Sequence, residues 1–320
     1  MQELDWQEIV GKKTKRNIFS PEGVLLIRMA TQLTERHITL LKKHGITLTS
    51  WDVEARETVD TTVPQYMYIE HAVTEIKNLF DQIRHSRKIP LNELRQKIIP
   101  VIHETVQKED FIHLFTALKA KDDYTYRHNI AVGMLANLLG NWLGLKKKEL
   151  LQLTTAALLH DVGKMLIPTE ILNKPGKLTA EEFEMMKKHT VYGYELLKNA
   201  TGISHRQALV ALQHHERLDG SGYPFGVTGE KIDLFSRIVA VVDVFHAMIS
   251  RRVYKDASPF YEILIAMERD AFGALDPKIT RVFVEKVMNY LVGHHVLLTD
   301  GREGKIILIH PMNQHYPLFR

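Results

Sequence analysis

Leu150-Leu151-Gln152-Leu153-Thr154-Thr155-Ala156-Ala157-Leu158-Leu159-His160-Asp161-Val162-Gly163-Lys164 is the stretch on which the fold turns. Leu150 to Leu159 is apolar nearly all round, as a helix buried on every side requires. A core helix has no packing reason to end in His160-Asp161. Adjacent residues point about 100° apart, so the pair can approach a metal from neighbouring sides. A capped helix end is the other reading of the pair. About fifty residues further on stands His214-His215-Glu216-Arg217-Leu218-Asp219-Gly220-Ser221-Gly222-Tyr223-Pro224. Two adjacent imidazoles, acidic neighbours and a Gly-rich turn have the look of a site. A His-rich set spread over several segments can hold two divalent metals, which activate a water and clamp a phosphodiester.

Helical periodicity runs outward from this stretch in both directions. Ile130, Met134, Leu135, Leu138 and Leu139 form one apolar stripe after Tyr124. Thr179 with Glu182 reads as a capping box for a helix carrying His189. Ser236 to Ser250 is another nearly all-apolar helix, and Asp276-Pro277 caps one that runs to about Leu291. Upstream, helical stretches are expected from Pro64 to about Lys88 and from Pro90 to about Lys119. Residues 1 to about 50 read as a small mixed module. It has strands at Val24–Ile27 and Ile46–Thr49 and a helix from Thr34 to His44. Val296-Leu297-Leu298 and Ile306-Ile307-Leu308-Ile309 flank a Gly-rich turn and read as a β-hairpin. The expected fold is mainly α, a helical bundle with a small α/β N-terminal module and a short C-terminal hairpin. The expected domains are 1–120, a regulatory or dimerisation module with a helical linker, then a helical domain at 121–293 and the hairpin at 294–320.

Composition narrows the function. The chain has 320 residues, 45% hydrophobic and 25% charged, ordinary values for a globular protein. It has no cysteine, which excludes disulfides and thiolate ligands, so any metal must sit on His, carboxylates and water. The net charge of +4 comes from scattered basic residues, and Lys146-Lys147-Lys148 reads as a solvated helix start. Neither DNA nor a membrane is expected as a partner. Met1 to Trp6 shows no basic segment leading into an apolar one, so no secretory signal is expected and the location is expected to be cytoplasmic.

Taken singly, several candidates are ambiguous. His128 and His189 each suit a structural role, and Asp243, inside an apolar run, suits a salt bridge as well as a metal. Taken together, His128, His160, Asp161, His189, His214, His215 and Asp243 offer five imidazoles and two carboxylates. That set suits Fe, Mn, Zn or Ni better than Mg or Ca, and Asp161 is the natural bridge. His294-His295 follows Gly293 at a helix-to-strand junction and reads as a cap. His71, His85, His103 and His113 read as exposed positions on the N-terminal helices.

The ordered set, with Gly222-Tyr223-Pro224, resembles the HD-GYP family of HD metal-dependent phosphohydrolases. The resemblance covers about Asp122 to Gly293. It implies a bacterial phosphodiesterase that hydrolyses cyclic di-GMP to pGpG, and onward to GMP, through a hydroxide bridging two metals. Iron or manganese is the expected pair. On this resemblance all seven residues are metal ligands, with Asp161 as the bridge. Lys164 would contact phosphate and act in catalysis beside Asp161. Gly222, Tyr223, Pro224, Arg252 and Lys255 would meet the substrate. A homodimer and a diguanylate cyclase are further expected partners. Two positions depart from the family. Tyr124 stands where some members have a Glu for a third metal, which favours two. His246 stands where the family has an Asp three residues after the last metal Asp, and we place it among the substrate contacts. That departure keeps two alternatives open, action on another cyclic dinucleotide or a catalytically weak cyclic di-GMP receptor.

Overall fold

The structure is a computed structural model. It describes residues 6, 10, 12–14, 18–20, 25–27, 31–46, 48, 53, 65–108, 124–251, 260–270, 273–297, 302–310 and 313–319. The chain divides into two compact units, Met1–Pro64 and Gln65–Arg320.

In the first unit β1 (Ile18–Phe19) pairs antiparallel with β2 (Leu25–Ile27). Helix α1 (Glu35–Lys43) follows, with Thr34 at its N-cap. Ile38 and Leu41 point its apolar face at Ile18, Ile27, Leu33, Leu48 and Val53, a small core of its own. Ile46 and Leu48, described residues of the strand expected at 46–49, lie in no strand.

The second unit is helical. Its helices are α2 (Gln65–Ser86), α3 (Ile99–Lys108), α4 (Tyr124–Trp142), α5 (Lys147–Leu158), α6 (Ala180–Lys187), α7 (His189–Lys198), α8 (His205–Gln213), α9 (Leu234–Arg251), α10 (Phe260–Asp270) and α11 (Pro277–Tyr290). A short helix, Leu91–Glu93, and a π turn, Leu94–Ile98, lead into α3. α4 sits at the centre. It packs on α5 and α9 and also on α2, α3 and α11. That burial explains why Ile130 to Leu139 carries no charged residue. Ile76, Phe80 and Ile83 of α2 and Leu94, Ile98 and Ile102 share one core with Met134, Leu158 and Phe245. The compact unit with the His-rich motifs thus begins at Gln65, ahead of the boundary expected near residue 120.

Two caps act as the sequence predicts. The Thr179 and Glu182 side chains close a reciprocal box at 3.3 and 2.7 Å. Asp276 accepts from the N–H groups of Lys278 and Ile279 at 3.0 and 3.2 Å. The C-terminal end is larger than the expected hairpin. It is an antiparallel sheet of β3 (His295–Leu297), β4 (Glu303–His310) and β5 (Asn313–Phe319), in that order.

Candidate metal centre

Five helix segments deliver the seven candidate ligands. His128 lies in the second turn of α4, and His160 and Asp161 follow the end of α5. His189 opens α7, His214 caps α8 with His215 next, and Asp243 lies within α9. The ligand atoms converge as two groups. Asp161, His189, His214 and His215 form one, and His128, His160 and Asp243 form the other. Asp161 faces both. Its Oδ1 is 3.4 Å from His189 Nε2 and 3.7 Å from His214 Nε2. Its Oδ2 is 3.4 Å from His160 Nε2 and 3.8 Å from His128 Nε2. Asp243 Oδ1 is 3.1 Å from His128 Nε2, and its Oδ2 is 4.0 Å from His215 Nδ1.

Close backbone approaches bring these segments together. A Cβ on Gly163 would collide with the His189 carbonyl and the Gly193 nitrogen, so only glycine lets the turn after Asp161 lie against α7. A Cβ on Gly222 would strike the His215 carbonyl and the Glu216 Cα, so the 222–224 turn packs backbone to backbone on the paired histidines. Buried Glu216 fixes that turn, accepting from the N–H groups of Phe225 at 2.8 Å and Val227 at 3.1 Å. The Tyr223 N–H donates to the His215 carbonyl at 3.2 Å, and its ring lies over the His215 ring at 4.6 Å.

The donors suit a divalent metal by protonation state as well as position. Nδ1 of His160 meets the Ala157 carbonyl at 2.7 Å, and Nδ1 of His189 meets the Met186 carbonyl at 2.6 Å. Nδ1 of His214 meets the carbonyls of Val210 and Ala211 at 3.1 and 3.0 Å. A carbonyl only accepts, so each Nδ1 carries a hydrogen, and in the neutral ring each Nε2 presents a lone pair inward. Burial pushes His189 down to about 3 and depresses His214 and His215, keeping these rings neutral. Burial alone would raise Asp161, but the charge of Lys164 beside it prevails and leaves the carboxyl well below the usual range. His160 Nε2 and Asp161 Oδ1 are buried with no hydrogen-bond partner. Orphaned buried polar atoms facing a cluster of lone pairs are costly unless a cation completes them. The residues fit two metal positions spanned by Asp161.

Lys164 Nζ pairs with Asp161 Oδ2 at 2.5 Å and is a quarter exposed, so its charge sits at the edge of the cluster. His246, expected among the substrate contacts, is 5% exposed, and its Nδ1 lies 2.9 Å from His128 Nδ1. Arg252 and Lys255 lie outside the described residues. His71 and His85 are exposed, and the His294 N–H closes the turn after α11 onto the Leu291 carbonyl at 3.1 Å. Sequence reasoning missed two neighbours. Arg127, beside His128, forms a two-pronged pair with Glu70 of α2 at 2.9 and 2.8 Å. Phe183, 45% exposed, meets Tyr223 edge-on at 6.3 Å, and Lys187 Nζ lies over both rings. An exposed aromatic four residues before a lysine on α6 was the available signal for the second.

The HD domain family matches residues 113–279, just over half of the chain. The chain belongs to the HD domain family. It is 42% identical over 193 residues to a Pseudomonas aeruginosa protein named as a cyclic di-GMP phosphodiesterase, covering 60% of this chain and 46% of that one. It is 35% identical over 184 residues to a Vibrio cholerae protein named as 3′3′-cGAMP-specific phosphodiesterase 3, covering 58% and 40%. The chain spans about half the length of the curated relatives it matches. Bd1817, an HDG"Y"P protein of Bdellovibrio bacteriovorus, has the same fold. Its TM-score is 0.55 at 17% identity, covering 89% of this chain and 99% of that one.

Proposed function

We propose that this HD domain protein is a metal-dependent phosphodiesterase that opens cyclic di-GMP to pGpG and then to GMP. The observation that carries the reading is Asp161, whose two carboxylate oxygens each face a separate group of buried imidazoles. HD domain metal sites and the relatives' names supply the reaction class and the substrate. Iron or manganese suits a set of five imidazoles and two carboxylates. When bound, two such ions supply Lewis-acid stabilisation of phosphoryl oxygens and activate water.

The remaining roles belong to the side chains. His128, His160, His189, His214, His215 and Asp243 would hold the metals, with Asp161 facing both groups. Lys164, at the rim, offsets charge that develops on the phosphoryl oxygens as the P–O3′ bond breaks. The turn at Gly222, Tyr223 and Pro224 shapes one wall of the mouth, with Arg252 and Lys255 as further contacts to the ligand, while His246, expected among those contacts, is buried against His128. No described helix is long and apolar enough to cross a membrane. We place the protein in the cytoplasm, as a homodimer beside a diguanylate cyclase.

The relative named for 3′3′-cGAMP supports a second reading, in which the hybrid dinucleotide is the substrate. One experiment separates these. Protein loaded anaerobically with Fe(II) or Mn(II) is incubated with each dinucleotide in parallel, and the products are identified by mass. Faster turnover of cyclic di-GMP supports the proposal, and faster turnover of the hybrid moves the substrate. Metal-loaded protein that binds cyclic di-GMP and hydrolyses neither is a receptor, and the enzyme reading fails.

A further inference from the structure

Three inward-facing histidines find an acceptor for Nδ1 in their own chain. His160, His189 and His214 use carbonyls three or four residues back, at the ends of α5, α6 and α8. His128 lies inside α4 rather than at a helix end. Its Nδ1 instead meets Nδ1 of His246, which α9 brings to 2.9 Å, with the rings 5.0 Å apart and tilted by 54°. Both rings are 5% exposed, so water does not stand in for either partner. Ser250 Oγ, at 3.5 Å from the same His246 nitrogen, is at the outer limit of a hydrogen bond.

Two δ nitrogens at this distance need one hydrogen between them. His128 Nε2 points at Asp161 Oδ2 and Asp243 Oδ1, so its lone pair serves the metal only if Nδ1 carries the hydrogen. We infer that His246 is the positioning residue of the first metal ligand. Its Nδ1 accepts the hydrogen of His128 Nδ1 and holds His128 in the tautomer that turns Nε2 toward the metal. His246 then does for His128 what backbone carbonyls do for the other three. The role is one of acceptor chemistry rather than bulk. An Asn or Asp at 246 places an oxygen at the same distance along the side chain as Nδ1, whereas Phe fills the same space with no acceptor.

This inference rests on the two-metal reading. The test therefore titrates metal-free protein with Mn(II) against a competing chelator and fits both dissociation constants. His246→Phe is expected to weaken one of the two sites by about 10- to 100-fold, the usual cost of losing a ligand's outer hydrogen bond. The other site stays as in the parent, while His246→Asn and His246→Asp hold both near or above parental affinity. Nitrogen-15 spectra of histidine-labelled protein are expected to show His128 protonated at Nδ1, and to lose that signature in His246→Phe. If His246→Phe binds both ions like the parent, or His246→Asn fails as badly as His246→Phe, the acceptor role is overturned. A parent that binds no Mn(II) overturns the two-metal reading, and this inference with it.

Discussion

Asp161→Asn removes one charge at nearly constant shape, and its cost follows from what the two oxygens face. Oδ1 serves the group of His189 and His214, and Oδ2 serves that of His160 and His128. A tetrahedral structural site is worth about 10–16 kcal/mol over four ligands, about 3 per ligand, or about 100-fold in affinity for each ligand lost. Because Asp161 spans both positions, the loss applies to each ion, about 10,000-fold over the pair. His189 lies beside one group only, so His189→Ala is expected to weaken one ion by about 100-fold and leave the second. The fold is expected to persist, because Lys164 is 25% exposed and its ammonium can turn to water when the carboxylate goes. The assay is metal content by mass spectrometry after dialysis against a graded chelator, with circular dichroism as the control for folding. The parent is expected to retain about two ions, His189→Ala about one, and Asp161→Asn close to none. Equal retention by folded Asp161→Asn and His189→Ala would refute the bridging assignment, since the geometry then has no consequence for the second ion.

Glu216→Gln keeps one acceptor for the Phe225 and Val227 N–H groups and turns an NH2 toward the other. Losing a hydrogen bond to a buried charge should cost about 1.5–3 kcal/mol in urea unfolding, and unchanged stability would show that the turn does not depend on Glu216. Metal-free protein should lose stability as pH falls from about 6.5 to 4. Burial holds His189 and His246 near 3 and depresses His214 and His215, so the unfolded chain binds protons that the folded rings refuse. His189 and His246 each contribute about 1.4 kcal/mol per pH unit over that window, and His214 and His215 act in the same direction. His160, where Asp161 outweighs burial and raises the ring, is protonated in both folded and unfolded chains across this window and adds no slope there. Unfolding with chelator present at several pH values checks the slope, and a flat profile would sink the argument.

The same physics decides which parts of the fold could be read in advance. The long helices were legible because each buries an unbroken stripe or an all-apolar surface, a local property of the sequence. β5 was not. Pro317 interrupts it, and a proline lacks the N–H that a central ladder needs. β5 lies at the edge of the sheet, where that loss is tolerated, but edge status belongs to the assembled sheet and not to the sequence. The pairing of Glu70 with Arg127 was hidden for a related reason. It spans 57 residues, and an acidic residue on an amphipathic helix such as α2 suits a solvated face just as well.

The candidate ligands were legible because most of them break the pattern of the helices that carry them. An imidazole just past the end of an apolar helix gains two things from that place. Carbonyls of the last turn take the Nδ1 hydrogen of His160, His189 and His214 and aim Nε2 inward. The end of a buried helix also places the ring in the interior without breaking the ladder. A ligand so placed carries its orienting group with it, and both are visible within four residues of sequence. His128 follows a different rule. It lies within a helix, and the group that meets its Nδ1 comes from elsewhere in the fold, 118 residues away on α9. The sequence could mark His246 as a departure from the family, but only the packing of α4 on α9 shows what it touches. Where a ligand's orienting group is a side chain rather than its own helix end, substitution can change it, and at position 246 this chain carries an imidazole in place of the family's carboxylate.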